Sequence, residues 1–197
     1  MDTIVDVLEV IRTRRSIGKM LPHAVSRDML DTLIEAAVQA PNHRLTRPWR
    51  FWVLTGEARE ELGDVMAEAD RSTLDDPDSA DARAALDRVR EKPLRAPAII
   101  VVGIEQVPGD TVLSIENVEA GGAAVQNLLL AAHAMGLAAM WRTGASAYST
   151  GVKRHFGLAD DDVLLGFVYV GYAAVTPPEM ERTAKGKVEW WDGRRPS

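Results

Sequence analysis

IENVEAGGAAVQNLLLAAHAMGLAAMWRTG, residues 115–144, is the stretch from which the fold is read. Val118, Ala120, Ala123, Ala124, Val125, Leu128, Leu129, Leu130, Ala131, Ala132 and Met135 put apolar or small side chains on nearly every face of a proline-free helix. A helix that is apolar all round is a buried one. Glu116, Asn117, Glu119, Gln126, Asn127 and His133 interrupt that surface, which argues against a bilayer span. Ala120-Gly121-Gly122-Ala123-Ala124 sets two glycines in a helix interior, where each is unfavourable, so something needs the space. Close approach by another backbone is the simplest reason. Gly136 ends the helix as its C′ residue. Leu137–Trp141 then reads as a buried strand, and Arg142-Thr143-Gly144 leaves it as a polar turn.

The rest of the chain narrows the class. Its 197 residues suit one generous domain spanning 1–197, or two small ones. With 46% hydrophobic and 26% charged residues, it has the composition of a soluble globular protein. A formal net charge of -6 argues against nucleic acid or an anionic membrane as the main partner, since a polyanion needs a basic face. The absence of Cys excludes disulfides, Cys-ligated zinc, iron–sulfur clusters and thiol chemistry. MDTIVDVLEV carries neither a basic n-region nor a long apolar h-region, so the expected location is the cytoplasm.

Residues 3–13 read as an amphipathic helix with Ile4, Val7, Leu8 and Ile11 on one stripe and Asp2 as N-cap. Ser26 caps a second helix, with Leu30, Leu33, Ile34, Ala37 and Val38 as its buried stripe and Pro41 as its stop. Trp49–Thr55 alternates as a strand, and charged helices follow at 57–69 and 80–91, separated by the turn-rich loop RSTLDDPDS at 71–79. Ala98–Ile104 is a continuous apolar strand, expected to be central, and Val163–Tyr172 is another. A short helix carrying Val152 and Phe156 lies between them, ending at Gly157. The tail from Ala173 holds Pro177-Pro178, Trp190 and Trp191, too aromatic for a disordered end, and is expected to wrap over something, a second subunit included. Helices and strands are interspersed, which gives an α+β or α/β layer structure.

Three clusters carry candidate chemistry. Arg12, Arg14, Arg15, Ser16 and Lys19 gather cations in an acidic chain; arginine forks and a hydroxyl suit a phosphate or a carbonyl edge, though cations also suit the last turn of any helix. The loop from Gln39 to Trp49, fixed by Pro41 and Pro48, offers Asn42, His43, Arg44 and Arg47 around a planar heterocycle, or is an ordinary connector. Trp141-Arg142-Thr143-Gly144 ends a buried strand, the edge that ligands favour, and Gly144 lets a backbone N–H come close to one. His23, His43, His133 and His155 are scattered with no metal-ligand spacing, so no metal site is expected. No G-x-G-x-x-G, P-loop or G-x-S-x-G is present, and no residue offers itself as nucleophile or general base. An enzyme built this way would take its chemistry from a bound cofactor.

RRSI at 14–17, APNHRLTRPWRFWVLTG at 40–56, RAPAIIVV at 95–102, the helix from Asn117, GLAAMWRTGA at 136–145 and LLGFVYVGY at 164–172 together resemble the FMN-dependent nitroreductase family, in particular its short, minimal branch. RRS alone is weak; the ordered set is strong. The resemblance implies a three-layer α+β fold with a central, mostly antiparallel sheet flanked by helices, and a homodimer with exchanged tails and two FMN sites at the interface. It implies that Arg14, Arg15 and Ser16 hold the phosphate and the pyrimidine edge, and that Gln39, Pro41, Asn42 and His43 approach the flavin, His43 reaching the partner's site. Trp141, Arg142 and Thr143 would line the ring, with a backbone N–H near Thr143–Gly144 facing N5. Arg182 is the better candidate for a C-terminal phosphate contact and Lys185 the alternative. Gly18 departs from the pattern, standing where many relatives carry Lys or Arg; so does Leu45, where larger relatives often have Asn, and the segment 70–92 is short.

The function implied is an NAD(P)H oxidoreductase passing a hydride through FMN to a nitroaromatic, quinone or enone by ping-pong kinetics. An FMN carrier or sensor with little turnover is the alternative, and a non-catalytic helical dimer module a third.

Overall fold

The computed structural model of the chain describes residues 6–106, 114–191 and 193. In chain order its elements are α1 (Val7–Thr13), β1 (Met20–Leu21), α2 (Arg27–Ala37), β2 (Trp49–Thr55), α3 (Ala58–Arg71), α4 (Ala80–Arg90), β3 (Ala98–Ile104), α5 (Ser114–Ala134), β4 (Ala138–Arg142), α6 (Ala145–Tyr148), α7 (Thr150–His155) and β5 (Val163–Ala173), with 3-10 turns at His43–Leu45 and Lys92–Arg95. The strands pair antiparallel: β3 lies between β2 and β5, β4 runs along 167–171 of β5, and β1 meets its last two residues.

The continuous apolar run at 98–104 is buried at every position because helices cover both faces of the sheet. Ile100, Val102 and Ile104 point into one core with α2 and α5; Ile99 and Val101 point into the other with α3, α4 and α7. The result is the α+β arrangement, an antiparallel sheet flanked by helices, in three layers.

Local signals hold where they have a mechanism. Ser26 Oγ accepts from Met29 N, and Leu30, Leu33 and Ala37 are buried. Ser79 caps α4 in the same way, and Arg71 pairs with Asp78 at 2.8 Å across the loop before it.

Several expectations change. Among the described residues of the chain, no other backbone approaches the glycines of α5. A Cβ on Gly121 would collide with Ile104 Cδ1 of β3, so a sheet side chain fills that space, whereas Gly122 faces nothing within 4 Å. Nor is α5 buried all round: Glu119, Gly122, Ala123, Gln126, Leu130 and His133 form a stripe that the rest of the chain leaves uncovered or half covered. Likewise Val7, Leu8 and Ile11 of α1 face outward, and Val10 is the residue that packs inward. The observed N-cap is Asp6, accepting from Leu8 N at 3.0 Å; Asp2 and Ile4 lie outside the described residues. The tail beyond β5 is exposed through Trp190 and Trp191.

Gly63 sets the α3–α4 crossing. An added Cβ there would strike Arg90 O and crowd Arg90 Cα at 3.1 Å, which is backbone and cannot swing aside. We expect Gly63→Ala to destabilise the chain by roughly 1–3 kcal/mol through overpacking, although alanine is the better helix former by about 1 kcal/mol. Urea unfolding checks this; a neutral or stabilising result would show that the two helices are not in fixed contact.

Candidate functional site

The segment after α1 lies along β4. Ser16 forms a parallel bridge with Ala139, and Ile17 N donates to Ala139 O at 3.1 Å. This brings the Arg14-Arg15-Ser16 cluster and the Trp141–Gly144 turn, distant in sequence, onto one strand edge. Arg15 Nη2 donates to Met180 O at 3.4 Å, so the tail joins them, and Arg182 stands within electrostatic reach of Arg14.

Arg15 Nη1 and Nη2 find backbone carbonyls at Arg12, Arg14 and Met180, but among the described residues the cluster lacks acidic partners. Arg14 Nη1, Arg15 Nε and Arg142 Nε are buried with no hydrogen-bond partner, and among the described residues none of the three pairs with a carboxylate. Burial, then Arg182, then Arg15 hold the Arg14 guanidinium below its ordinary value. A buried guanidinium nitrogen left without an acceptor is costly even in a half-buried side chain, so a ligand with oxygen acceptors or negative charge fits here.

His133 at the end of α5 borders the cluster. Thr13 Oγ1 donates to Glu9 O at 2.7 Å, so the 2.8 Å contact between Thr13 Oγ1 and His133 Nε2 has the imidazole N–H as donor. Burial, then Arg14, then Arg15 hold His133 below the usual imidazole value.

A cavity of about 370 Å³ opens beside the turn, lined by Trp141, Arg142, Thr143 and Gly144 together with Lys92, Arg95 and Tyr169. Gly144 has φ 80°, a positive value that side chains rarely adopt, and opens α6. Trp141 Nε1 donates to Leu165 O at 3.2 Å, and Gly166 makes room: a Cβ there would lie 2.7 Å from Trp141 Nε1 and 2.6 Å from Arg142 O. The Arg142 guanidinium sits 5.4 Å from the centre of the Tyr169 ring. Lys92, Arg95 and Tyr169 were not singled out from the sequence. Arg95 stands at the head of the RAPAIIVV segment and Tyr169 within the strand at 163–172; the cations on either side of Pro93 were the available signal.

The second loop lies elsewhere. His43 Nδ1 contacts Glu116 Oε1 at 2.9 Å, and Pro41, Asn42 and His43 line a groove with Glu116, Glu119 and Ala123, at the beginning of α5. Gln39 Nε2 donates to Glu35 O of its own helix end. Asn42 Oδ1 accepts from Arg47 N, while Thr46 donates to buried Asn117, which donates to Gln106. That polar chain holds Arg44, Leu45 and Arg47 at φ 51°, 57° and 48°, strain of the kind stored at functional loops. From Glu116 to His133 along α5 is roughly 25 Å at the helical rise. Within one chain, therefore, Pro41, Asn42 and His43 are not brought to Arg14, Arg15, Ser16 and the Trp141–Gly144 turn, while Gln39 stays at the end of α2.

The chain's relatives agree on a family. Residues 11–172 match the profile described as "Nitroreductase family". An Escherichia coli (strain K12) protein provisionally named NAD(P)H nitroreductase YdjA is 32% identical over 166 residues, 84% of this chain and 87% of that one. Among solved structures, a nitroreductase-like family protein from Bacillus cereus superposes with a TM-score of 0.85 at 29% identity, covering 98% of this chain and 100% of that one. A provisional nitroreductase from Desulfovibrio desulfuricans, solved in complex with FMN, gives 0.72 at 25% identity, covering 94% and 96%. No helix among the described residues is long and apolar enough to cross a membrane.

The arginine cluster sets a pH dependence. His133 binds its proton less readily in the folded chain than in the unfolded one. Its contribution is therefore intact above the ordinary value of about 6.5 and is lost as pH falls below it. We expect His133→Gln, which keeps a donor to Thr13, to lose less Tm than the wild type between about pH 7.5 and 5.5. Equal losses would mean that the cluster does not act on His133.

Proposed function

The chain belongs to the nitroreductase family, and from that premise we propose that it is an FMN-dependent NAD(P)H oxidoreductase, a single domain over 1–197 working as a homodimer. The observation that carries this is the set of buried, partnerless guanidinium nitrogens of Arg14, Arg15 and Arg142 along the edge of β4, where Arg142 also lines the cavity at Trp141–Gly144. These residues fit FMN. Arg14, Arg15 and Arg182 offer forks for a phosphate dianion, Ser16 a hydroxyl donor, and the cavity room for a planar ring with Trp141, Arg142 and Thr143 along it and a backbone N–H near Gly144 toward N5. Bound FMN supplies the hydride-accepting and hydride-donating chemistry. The protein binds it, orients it and keeps one face open, so that NAD(P)H and then a nitroaromatic, quinone or enone acceptor use the same place in turn, which gives ping-pong kinetics.

A second copy completes the site. When two α5 helices pair antiparallel about a two-fold axis, the Glu116 end of one lies against the His133 end of the other. Gln39, Pro41, Asn42 and His43 of one copy then reach the arginines of the other. Gly122 and Ala123 sit near the midpoint of that span, and Gly122 has open space beside it, which suits close helix crossing. The outward apolar residues of α1 and the exposed tail tryptophans supply further surface for the pair.

Three measurements test the proposal together. The purified protein should bind added FMN with quenched flavin fluorescence, and NADH or NADPH should bleach it anaerobically. FMN retained without bleaching would leave a carrier or sensor instead, and no FMN binding at all would overturn the proposal. Gly122→Leu should abolish the dimer and FMN retention in one step, because the interface would form the site; a stable FMN-bound monomer of that variant contradicts the shared site.

A further inference from the structure

Gly18 is a glycine for reasons of space rather than backbone, since its φ is not in the left-handed range. A Cβ built on it would lie 2.8 Å from Arg142 Nη2 and 2.8 Å from Met140 Sδ. Met140 and Arg142 project from the same side of β4 as their register partners Tyr169 and Phe167. The Arg142 guanidinium is thus held between the Tyr169 ring, 5.4 Å away, and the bare backbone of Gly18. It has no carboxylate partner among the described residues, its Nε is buried and unpaired, and it lines the cavity that Thr143 and Gly144 also line.

Building on the FMN reading above, we infer that Gly18 is a positioning residue: the absence of a side chain there lets Arg142 serve the N1–C2=O2 edge of the flavin, where it favours the reduced cofactor over the oxidised one. The phosphate is already provided for by Arg14, Arg15 and Arg182. The Thr143–Gly144 backbone takes the N5 side of the ring. What the ring still offers is its N1–C2=O2 edge, which gains negative charge when two electrons arrive with a single proton at N5. A guanidinium in a partly desolvated cavity, fixed by a ring contact and carrying unused donors, is matched to that charge.

The substitution that tests this is mild. The added methyl of Gly18→Ala meets only the movable ends of two side chains, so the backbone need not shift and the guanidinium must. On the FMN-loaded dimer, the midpoint potential by dye equilibration and the affinity for oxidised FMN by fluorescence give the ratio of affinities for the two redox forms. We expect Gly18→Ala and Arg142→Met each to cut the preference for reduced FMN by about tenfold, a potential lower by about 30 mV for the two-electron couple. The double variant should match Arg142→Met alone, because no guanidinium remains to displace. FMN binding with the potential unchanged in both single variants overturns the inference and leaves the FMN reading standing. A lowered potential in Arg142→Met but not in Gly18→Ala, or additive effects in the double variant, overturns the role of Gly18. Failure of the wild-type chain to bind FMN overturns the reading and the inference with it.

Discussion

A guanidinium keeps its proton at any pH a cell offers, so arginine taken out of water must find an acceptor. This constraint organises the edge of β4. Several arginines elsewhere pair with acids: Arg12 with Glu9, Arg71 with Asp78, Arg90 with Asp64 and Asp87, Arg154 with Asp160. Around β4, Arg14, Arg15 and Arg142 have buried nitrogens and, among the described residues, no acidic partner. Carboxylates are not scarce, since 29 Asp and Glu face 23 Lys and Arg. The unpaired arginines therefore mark where an external anion or acceptor belongs, and the exposed pairs elsewhere contribute little to stability.

The helix α5 connects this charge to the rest of the architecture. Its buried face, with Ala124, Val125, Leu128 and Ala132, packs against the sheet and α2, and so fixes where each end of the helix points. One end carries His133 beside the arginines; the other carries Glu116 and Asn117 beneath the strained loop at 43–47. Two half-sites at opposite ends of one rigid rod cannot meet within a chain. On the proposed function, the pairing of two rods is what joins them, so assembly and cofactor binding rest on the same small residues in the middle of the helix.

The layer order was legible because periodicity and caps have local causes. The unbroken apolar run of β3, the Ser26 cap, the Gly136 stop and the strand at β2 all appear where the residues place them. The two residues of β1 and the four of α6 are too short to leave a period. Outward Val7, Leu8 and Ile11 mislead for a different reason: a sequence records that a stripe is apolar, not whether its cover comes from the same chain. Gly121 and Gly122 looked alike in sequence, yet one yields to Ile104 and the other to nothing within 4 Å among the described residues. At the site, the residues flagged in advance fall into the two end groups, but Lys92, Arg95 and Tyr169 reach the cavity through long-range packing that no local pattern encodes.

Holding like charges together has a consequence for the fold itself. Arg15 and Arg182 push on Arg14, both Arg14 and Arg15 push on His133, and burial weakens the solvent's ability to screen them. Such repulsion is borne by the ligand-free chain and relieved when an anion enters, so the free energy of binding includes the removal of a strain that the fold had absorbed. Anything bound to the folded form alone also adds to its stability in proportion to the logarithm of its concentration over its dissociation constant. The cost is confined to one strand edge, while the two apolar cores on either side of the sheet remain free of buried charge. That separation lets the arginines be arranged for a ligand rather than for the fold.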